Sequence, residues 1–147
     1  MPHVRQSIRE NIETTLTGLT TTGSRVFASR VYPIAADNLP GLAIYTSDEN
    51  SEYATVGLPR TQIRTLSVTV EAYVRGNSNY DDSLDTICSE IEIALYTDLT
   101  RGGHAKDTKV TAMDAEFSGE GDQPVARATL RVQVEYVTKE NDPTTAV

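Results

Sequence analysis

The side chains that could act in catalysis are few and far apart in this sequence. Cys88 is the only thiol, and His3 and His104 are the only imidazoles. Cys88 lies on the apolar side of a predicted helix, where a small buried sulfur is the commonest use of cysteine. A reactive thiol needs an exposed, electropositive setting instead. We therefore expect Cys88 to belong to the core.

The segment RGGHAKD around His104 has glycines that suggest an anion-binding loop. A phosphate cradle needs a strand before such glycines and a helix after them, and the sequence predicts neither at this place. A turn is the better interpretation. The chain also contains no G-x-G-x-x-G, Walker A or G-x-S-x-G motif. These patterns predict a protein that is not an enzyme and binds no cofactor.

Acidic residues are concentrated in one predicted helix, where they could suggest a divalent-metal site: Asp81, Asp82, Asp85, Glu90 and Glu92. Their spacing does not match an EF-hand loop, and no histidine lies near them. A solvated helix face, with acids that favour the positive end of the helix dipole, explains them better. A binding surface is the intermediate interpretation, and we expect no metal.

Length and composition indicate one domain. A chain of 147 residues, 38% of them hydrophobic, can bury a core without disulfides, and one cysteine cannot form an internal disulfide. The formal net charge of −8 repels phosphate backbones, which disfavours nucleic-acid binding. No segment resembles a signal peptide or the roughly 20 apolar residues of a membrane span, so we expect a cytosolic protein without membrane contact.

Residues 60–75, RTQIRTLSVTVEAYVR, have the clearest period in the chain. From position 66 to 74 the even positions are apolar, and the odd positions are polar. A period of two aligns side chains into two faces only in an extended strand. One covered face and one wet face are typical of an antiparallel sheet. Residues 125–138 repeat this alternation.

Two amphipathic helices are predicted to cover the apolar face of the sheet. In the first, one side carries apolar residues at helical spacing: Val4, Ile8, Ile12, Leu16 and Leu19. The second runs from a cap at Asp81 or Asp82 to about residue 96. Its apolar side gathers Leu84, Ile87, Cys88, Ile91, Ala94 and Leu95. Ile93 falls on the opposite side, among the acids.

Three further strands are predicted at residues 24–33, 39–46 and 108–117, the first of them short or irregular. Residues 47–59 read as an irregular, acid-rich loop that becomes ordered on contact with a neighbour. Residues 139–147 have nothing to bury and are expected to form a flexible C-terminal tail.

The order of these elements predicts an α+β fold. We expect a two-layer sandwich, with a largely antiparallel or mixed sheet of four or five strands and both helices on one face. This single domain would cover residues 1–138. The opposite face, rich in Thr, Arg and Glu, would stay wet or meet another subunit.

Several segments together resemble one family over nearly the whole chain. They are the helix VRQSIRENIETTL, the strands RVF and LPGLAIYT with an acid-rich loop after them, the strand TLSVTVEAYV, the helix DDSLDTICSEIEIAL and the closing strand ATLRVQVEYV. In element order and local texture they are similar to the tail terminator proteins of long-tailed bacteriophages, the lambda-like minor tail protein U family.

The resemblance implies a virion structural protein that acts as a ring, of six subunits in that family. Such a ring docks on the finished tail tube, stops addition of tube subunits and offers its other side to a head-completion or connector protein. It implies a place at the head-proximal end of the virion tail, after assembly in the host cytoplasm. A head-to-tail contact can close into a ring, and a negative channel would let DNA pass without specific binding.

Apolar residues that the predicted core does not use are candidate contacts between subunits: Tyr53, Val56, Leu58 and Ile93. By position, the family's acidic start of the second helix corresponds to candidate partner contacts at Asp81, Asp82, Leu84 and Asp85. These acids also suit a solvated helix start, and Leu84 suits an ordinary core.

Two alternative functions stay open. One is another head–tail joining protein of the phage neck, since small α+β subunits recur there. The other is a small-molecule-binding or hydrolytic α+β domain, which would need a pocket with convergent polar groups.

Overall fold

The computed structural model describes residues 1–28, 39–76, 79–118 and 124–147, and within them the chain forms two helices and a six-stranded sheet. The elements in chain order are α1 (Val4–Leu16), β1 (Val26–Phe27), β2 (Gly41–Tyr53), β3 (Thr61–Arg75), α2 (Tyr80–Tyr96), β4 (Asp107–Ser118), β5 (Val125–Lys139) and β6 (Asp142–Ala146). The predicted α+β sandwich is confirmed, with one strand more than expected.

The long strand β3 is the centre of the sheet. The strand order is β1-β2-β3-β5-β4, and β6 pairs with the end of β5. β3 is antiparallel to both β2 and β5, while β1 pairs parallel with β2. Because β3 and β5 pair along their full lengths, the two alternating patterns found in the sequence lie side by side and share one apolar face.

That shared face is the floor of the core, under the two helices. Its fully or nearly fully buried residues are Leu66, Val68, Val70, Ala72, Val74, Ala126, Ala128, Leu130, Val132, Val134 and Tyr136. The expectation that the opposite face is wet is wrong at its centre. Ser67, Thr69 and Glu71 are also buried there, and Glu71 is only 2% exposed.

Both helices bury the apolar sides that their periodicity predicted. α1 contributes Val4, Ile8, Ile12 and Leu16 to the core, and α2 contributes Leu84, Ile87, Cys88, Ile91 and Leu95. Leu19 lies beyond the end of α1, in a turn closed by a bridge to Gly23. The cap of α2 is Asn79, so Asp81 and Asp82 occupy its first turn instead of capping it.

The irregular loop predicted for residues 47–59 is much shorter in the structure. β2 continues to Tyr53 and pairs with β3 as far as Gln62, so only residues 54–60 connect the two strands. The last part of β2 is held by backbone pairing with β3, and its residues 50–53 are exposed. Such residues need not alternate between apolar and polar, so the sequence shows no period of two there although the strand continues.

The C-terminal residues, predicted to form a flexible tail from 139 onward, include a strand. β4 pairs with β5 only as far as Glu135, and β6 occupies the same edge of β5 at Thr138 and Lys139. Ala146 packs against the core. Of the irregular strand predicted at 24–33, the structure shows β1, and positions 29–33 lie outside the described residues.

Ile91 and Ile93 test the orientation of α2, because both are isoleucines on this helix but only Ile91 is buried. Ile91 is 0% exposed and Ile93 is 69% exposed. We expect Ile91→Ala to lower the free energy of unfolding by about 2–5 kcal/mol, since it leaves a cavity. Ile93→Ala should change it by less than about 0.5 kcal/mol. Urea unfolding followed by circular dichroism measures both, and equal effects would contradict this orientation.

Candidate assembly surfaces

The first candidate surface is the tip of the β2–β3 hairpin. Tyr53, Val56 and Leu58 are exposed by 57%, 97% and 79% of their surface. The tip is closed by a hydrogen bond from the Ala54 amide to the Thr61 carbonyl at 2.7 Å. All three side chains therefore lie outside the core, as the sequence predicted, and their contact with another subunit stays a prediction.

Arg60 fixes the base of this tip. Its guanidinium lies 4.5 Å from the centre of the Tyr53 ring, and its Nε donates to the Glu140 carboxylate at 3.1 Å. Hydrogen bonds from the backbone and side chain of Arg60 lower the pKa of Glu140. An open cavity of about 610 Å³ is lined by Tyr53, Arg60 and residues 54–57 of the turn. The hairpin tip is therefore attached to the β5–β6 turn.

The second candidate surface is the outer side of α2. Asp81, Asp82 and Asp85 are exposed, and Ile93 lies on the same helix two to three turns farther along. The prediction that Ile93 lies outside the core is confirmed. Leu84 is 3% exposed and belongs to the core, so it is not accessible to a partner.

The structure does not bring the hairpin tip and the acids of α2 together. β3 begins at Thr61, next to the tip, and ends at Arg75, shortly before α2 begins. At about 3.3 Å per residue, a strand of this length separates its ends by roughly 45 Å. The exposed residues among those predicted from the sequence thus form two distinct surfaces of the chain.

Sequence reasoning missed a partly buried polar cluster at the base of the hairpin. The carboxylate of Glu49 accepts hydrogen bonds from Arg5 at 3.1 Å, from Arg64 at 3.2 Å and from the Tyr136 hydroxyl. Arg64 also donates to Thr138 at 3.1 Å. One carboxylate therefore joins α1, β3 and β5 to β2. We call Glu49, Arg5, Arg64 and Tyr136 the hairpin-base cluster.

A β-bulge places Glu49 in this cluster. The pairing of β2 with β3 shifts between Thr46 and Asp48, so one extra residue is inserted at Ser47. After the shift Glu49 lies opposite Leu66, whose side chain faces the core. Without the bulge, strict alternation would have turned Asp48 inward and Glu49 outward.

The sheet face opposite the helices holds another carboxylate, Glu71, which is more completely buried than Glu49. Glu71 accepts a hydrogen bond from the Tyr73 hydroxyl at 2.7 Å and pairs with Arg127 at 3.1 Å. Arg127 also pairs with Glu116 on β4. Because buried charge is costly unless it is paired, these partners explain how Glu71 can be so fully enclosed.

Other residues that the sequence singled out have structural roles. Cys88 is buried, and burial raises the pKa of its thiol, with a further contribution from Glu92 and Asp85. Glu90 accepts hydrogen bonds from the backbone and side chain of Thr21, which ties α2 to the turn after α1. His3 caps α1 by accepting from the Arg5 amide at 3.2 Å.

The loop containing His104 includes a residue that sequence reasoning did not single out. Arg101 is completely buried and donates to the carbonyls of Leu95, at 2.5 Å, and of Asp98. These carbonyls belong to the end of α2 and the turn that follows, where a cation is favoured by the helix dipole. RGGH thus closes the C-terminus of α2, and His104 is half-buried beside it.

Among the described residues, no group of three or more His, Cys, Asp or Glu side chains is arranged to hold a metal ion. Neither helix in the described ranges has the length and apolarity needed to cross a membrane.

Comparison with known proteins gives little similarity. No family model and no curated protein matches the chain. Among solved structures, a chain of the "Virion of native gene transfer agent (GTA) particle" aligns over 90% of this chain and 92% of that chain, with a TM-score of 0.39 and 13% sequence identity. A TM-score this low does not establish a common fold.

Glu49 and Glu52 offer a matched test of the hairpin-base cluster, because both lie on β2 but only Glu49 is enclosed. Hydrogen bonds to a charged group contribute about 1.5–3 kcal/mol each, so Glu49→Gln, which removes the charge, should lower the free energy of unfolding by about 1.5–3 kcal/mol. Glu52→Gln, at an exposed position, should change it by less than about 0.5 kcal/mol. Urea titration at neutral pH measures both, and equal effects would show that the cluster adds no stability.

Tyr136 makes the stability depend on alkaline pH. Burial, and then the hydrogen bond to Glu49, raise the pKa of its phenol above the ordinary value of 10.0. The folded state therefore holds this proton more tightly than the unfolded state. Its contribution is complete below pH 10 and declines as the pH rises above that value. We expect Tyr136→Phe to lose less stability than the wild type between about pH 9 and 11, whereas Tyr96→Phe, at an exposed position, should follow the wild type.

Proposed function

We propose that this chain is a virion structural protein, a tail terminator whose copies form a ring on the head-proximal end of a tail tube. The ring would stop further addition of tube subunits and present its other side to a head-completion or connector protein. The residues that resemble the terminator family support this proposal. So does the distribution of exposed apolar side chains over the subunit.

That distribution is the observation that carries the proposal. The hairpin tip exposes Val56 and Leu58 almost fully, and the outer side of α2 exposes Ile93, on a separate surface. Burying apolar area stabilises an association by roughly 25 cal/mol per Å² before the costs of binding. A contact between two different surfaces is heterologous, and such contacts produce a ring when the rotation between neighbours closes.

The charge of the subunit supports the same function. A net charge of −8, repeated around a ring, would give a negative channel. DNA passing through such a channel would be repelled by its walls and would not bind to them specifically. In this proposal the protein functions by binding other copies of itself and other virion proteins, without catalysis or a cofactor.

Mass in solution tests the ring directly. Light scattering after size-exclusion chromatography, at several concentrations and with and without tail-tube protein, should give a closed oligomer of 16.0 kDa subunits, six by the family resemblance. Ile93→Asp and Val56→Asp should each shift the mass toward the monomer, because a charge would enter an apolar contact. Thr14→Asp, on an exposed position of α1, is the matched control and should leave the oligomer intact.

Circular dichroism of each variant separates lost assembly from lost folding. A persistent monomer, even with tail-tube protein present, would overturn the ring. An oligomer that never binds the tube would favour the alternative of a head–tail joining protein of the neck.

A further inference from the structure

The helix-side face of β4 is an apolar surface that neither of the two described helices covers completely. Met113, Ala115 and Phe117 lie directly opposite Leu130, Ala128 and Ala126 of β5. Residues directly opposite in a pair of strands share one face of the sheet, so this β4 strip continues the floor of the core. Yet Met113 is 52% exposed and Phe117 is 49% exposed.

A second β-bulge creates this strip. The register of β4 with β5 shifts between Val110 and Ala112, and the extra residue is Thr111. Strict alternation from Val110 would have put Asp114 and Glu116 on the helix side. The bulge turns those acids to the far face and brings Met113 and Phe117 to the helix side.

The strip lies beside α2 on the helix side of the sheet. α2 packs mainly over β3 and β5 and less over β4. Near the end of α2 a cavity of about 190 Å³ lies between that helix and the first part of β4, lined by Tyr96, Leu99 and Val110. At the other end of the strip Phe117 stacks on Tyr80, with ring centres 4.8 Å apart. We call the space between α2 and the strip, from this cavity to Phe117, the α2–β4 groove.

The helix wall of the groove is acidic. Glu92 lines it, and at 100° per residue Asp81 and Asp85 fall on the same flank of α2 as Glu92. Cys88 lies between Asp85 and Glu92 along the helix, and its pKa is raised first by burial and then by the charges of Glu92 and Asp85. Among the ion pairs of the described residues, none involves these three carboxylates. Apolar floor and acidic wall therefore lie along one groove.

We propose that the α2–β4 groove binds a basic amphipathic helix of a different protein, which lies beside α2 as a third helix of the layer. Among the described elements the uncovered position is in the helix layer, because the strip is coplanar with the floor on which α1 and α2 pack. Apolar side chains of the incoming helix would cover Met113 and Phe117. Its Lys or Arg side chains would face Asp81, Asp85 and Glu92.

A second copy of this chain does not suit the groove. Both helices that the structure describes already bury their apolar sides in their own core. Arg5 and Arg9 of α1 are paired with Glu49 and Glu13. A basic segment would also be attracted by the net charge of −8.

The length of the strip sets the spacing of the expected contacts. Met113 and Phe117 are four residues apart on a strand, which is about 13 Å. A helix rising 1.5 Å per residue covers this distance in about nine residues. Apolar residues at positions i, i+4 and i+7, with basic residues on one flank, therefore describe the partner segment. This inference goes beyond the proposed ring and does not depend on it.

A designed peptide can test the groove in the full-length protein. The probe is a fluorescent 15-residue helix with Leu at i, i+4, i+7 and i+11 and Lys on one flank, followed by anisotropy. Two control peptides have Glu in place of Lys or the same composition in scrambled order. We expect the Lys peptide to bind, more weakly as salt rises, and both controls to bind at least about tenfold more weakly.

Protein variants locate the binding. Met113→Asp and Glu92→Lys should each weaken binding by about tenfold or more, while Asp82→Lys, on the outward side of the same helix, should change it less than about twofold. Thermal unfolding checks that each variant is folded, and Asp85→Lys replaces any that is not. No binding at roughly millimolar peptide, equal binding of the Glu peptide, or equal loss in Asp82→Lys would overturn the proposal. So would loss of self-association in Met113→Asp, which would identify the groove as a contact between copies.

Discussion

The arrangement of the chain depends on the hydrogen bonds that the mostly buried carboxylate of Glu49 accepts. This carboxylate is the point where α1, β2, β3 and β5 meet through Arg5, Arg64 and Tyr136. A charge that is removed from water is costly unless hydrogen bonds replace its hydration, and here three donors do so. The same contacts hold the extended part of the β2–β3 hairpin in a defined direction relative to the helices, and so define where the exposed tip lies.

Two bulges distribute the polar and apolar side chains of this sheet. The one at Ser47 turns Glu49 toward the helices, and the one at Thr111 turns Met113 and Phe117 to that side. In both cases one inserted residue exchanges the faces of every residue after it. The first bulge anchors the hairpin, and the second leaves an apolar strip uncovered. The surfaces that are available for assembly are therefore consequences of strand register as much as of composition.

The exposed apolar groups lie on separate parts of the molecule, which bears on how it could work. The core under α1 and α2 is filled by β3, β5 and the start of β2. Residues that point away from this core, such as Val56, Ile93 and Met113, stay exposed. A chain with several separate exposed apolar surfaces is suited to contacts with more than one neighbour. The proposed ring between a tube and a connector would require such contacts.

Local periodicity by itself determined the α1 and α2 core residues, the alternation of β3 and β5, the exposure of Ile93 and the α+β class, because each depends only on spacing along the chain. Tertiary structure alone decided the rest. β2 beyond Thr46 and β6 are held by backbone pairing with distant strands, which leaves no apolar period to detect. The burial of Glu49 and the bare face of β4 depend on bulges and on how far the helices reach, and neither is encoded in the spacing of neighbouring residues.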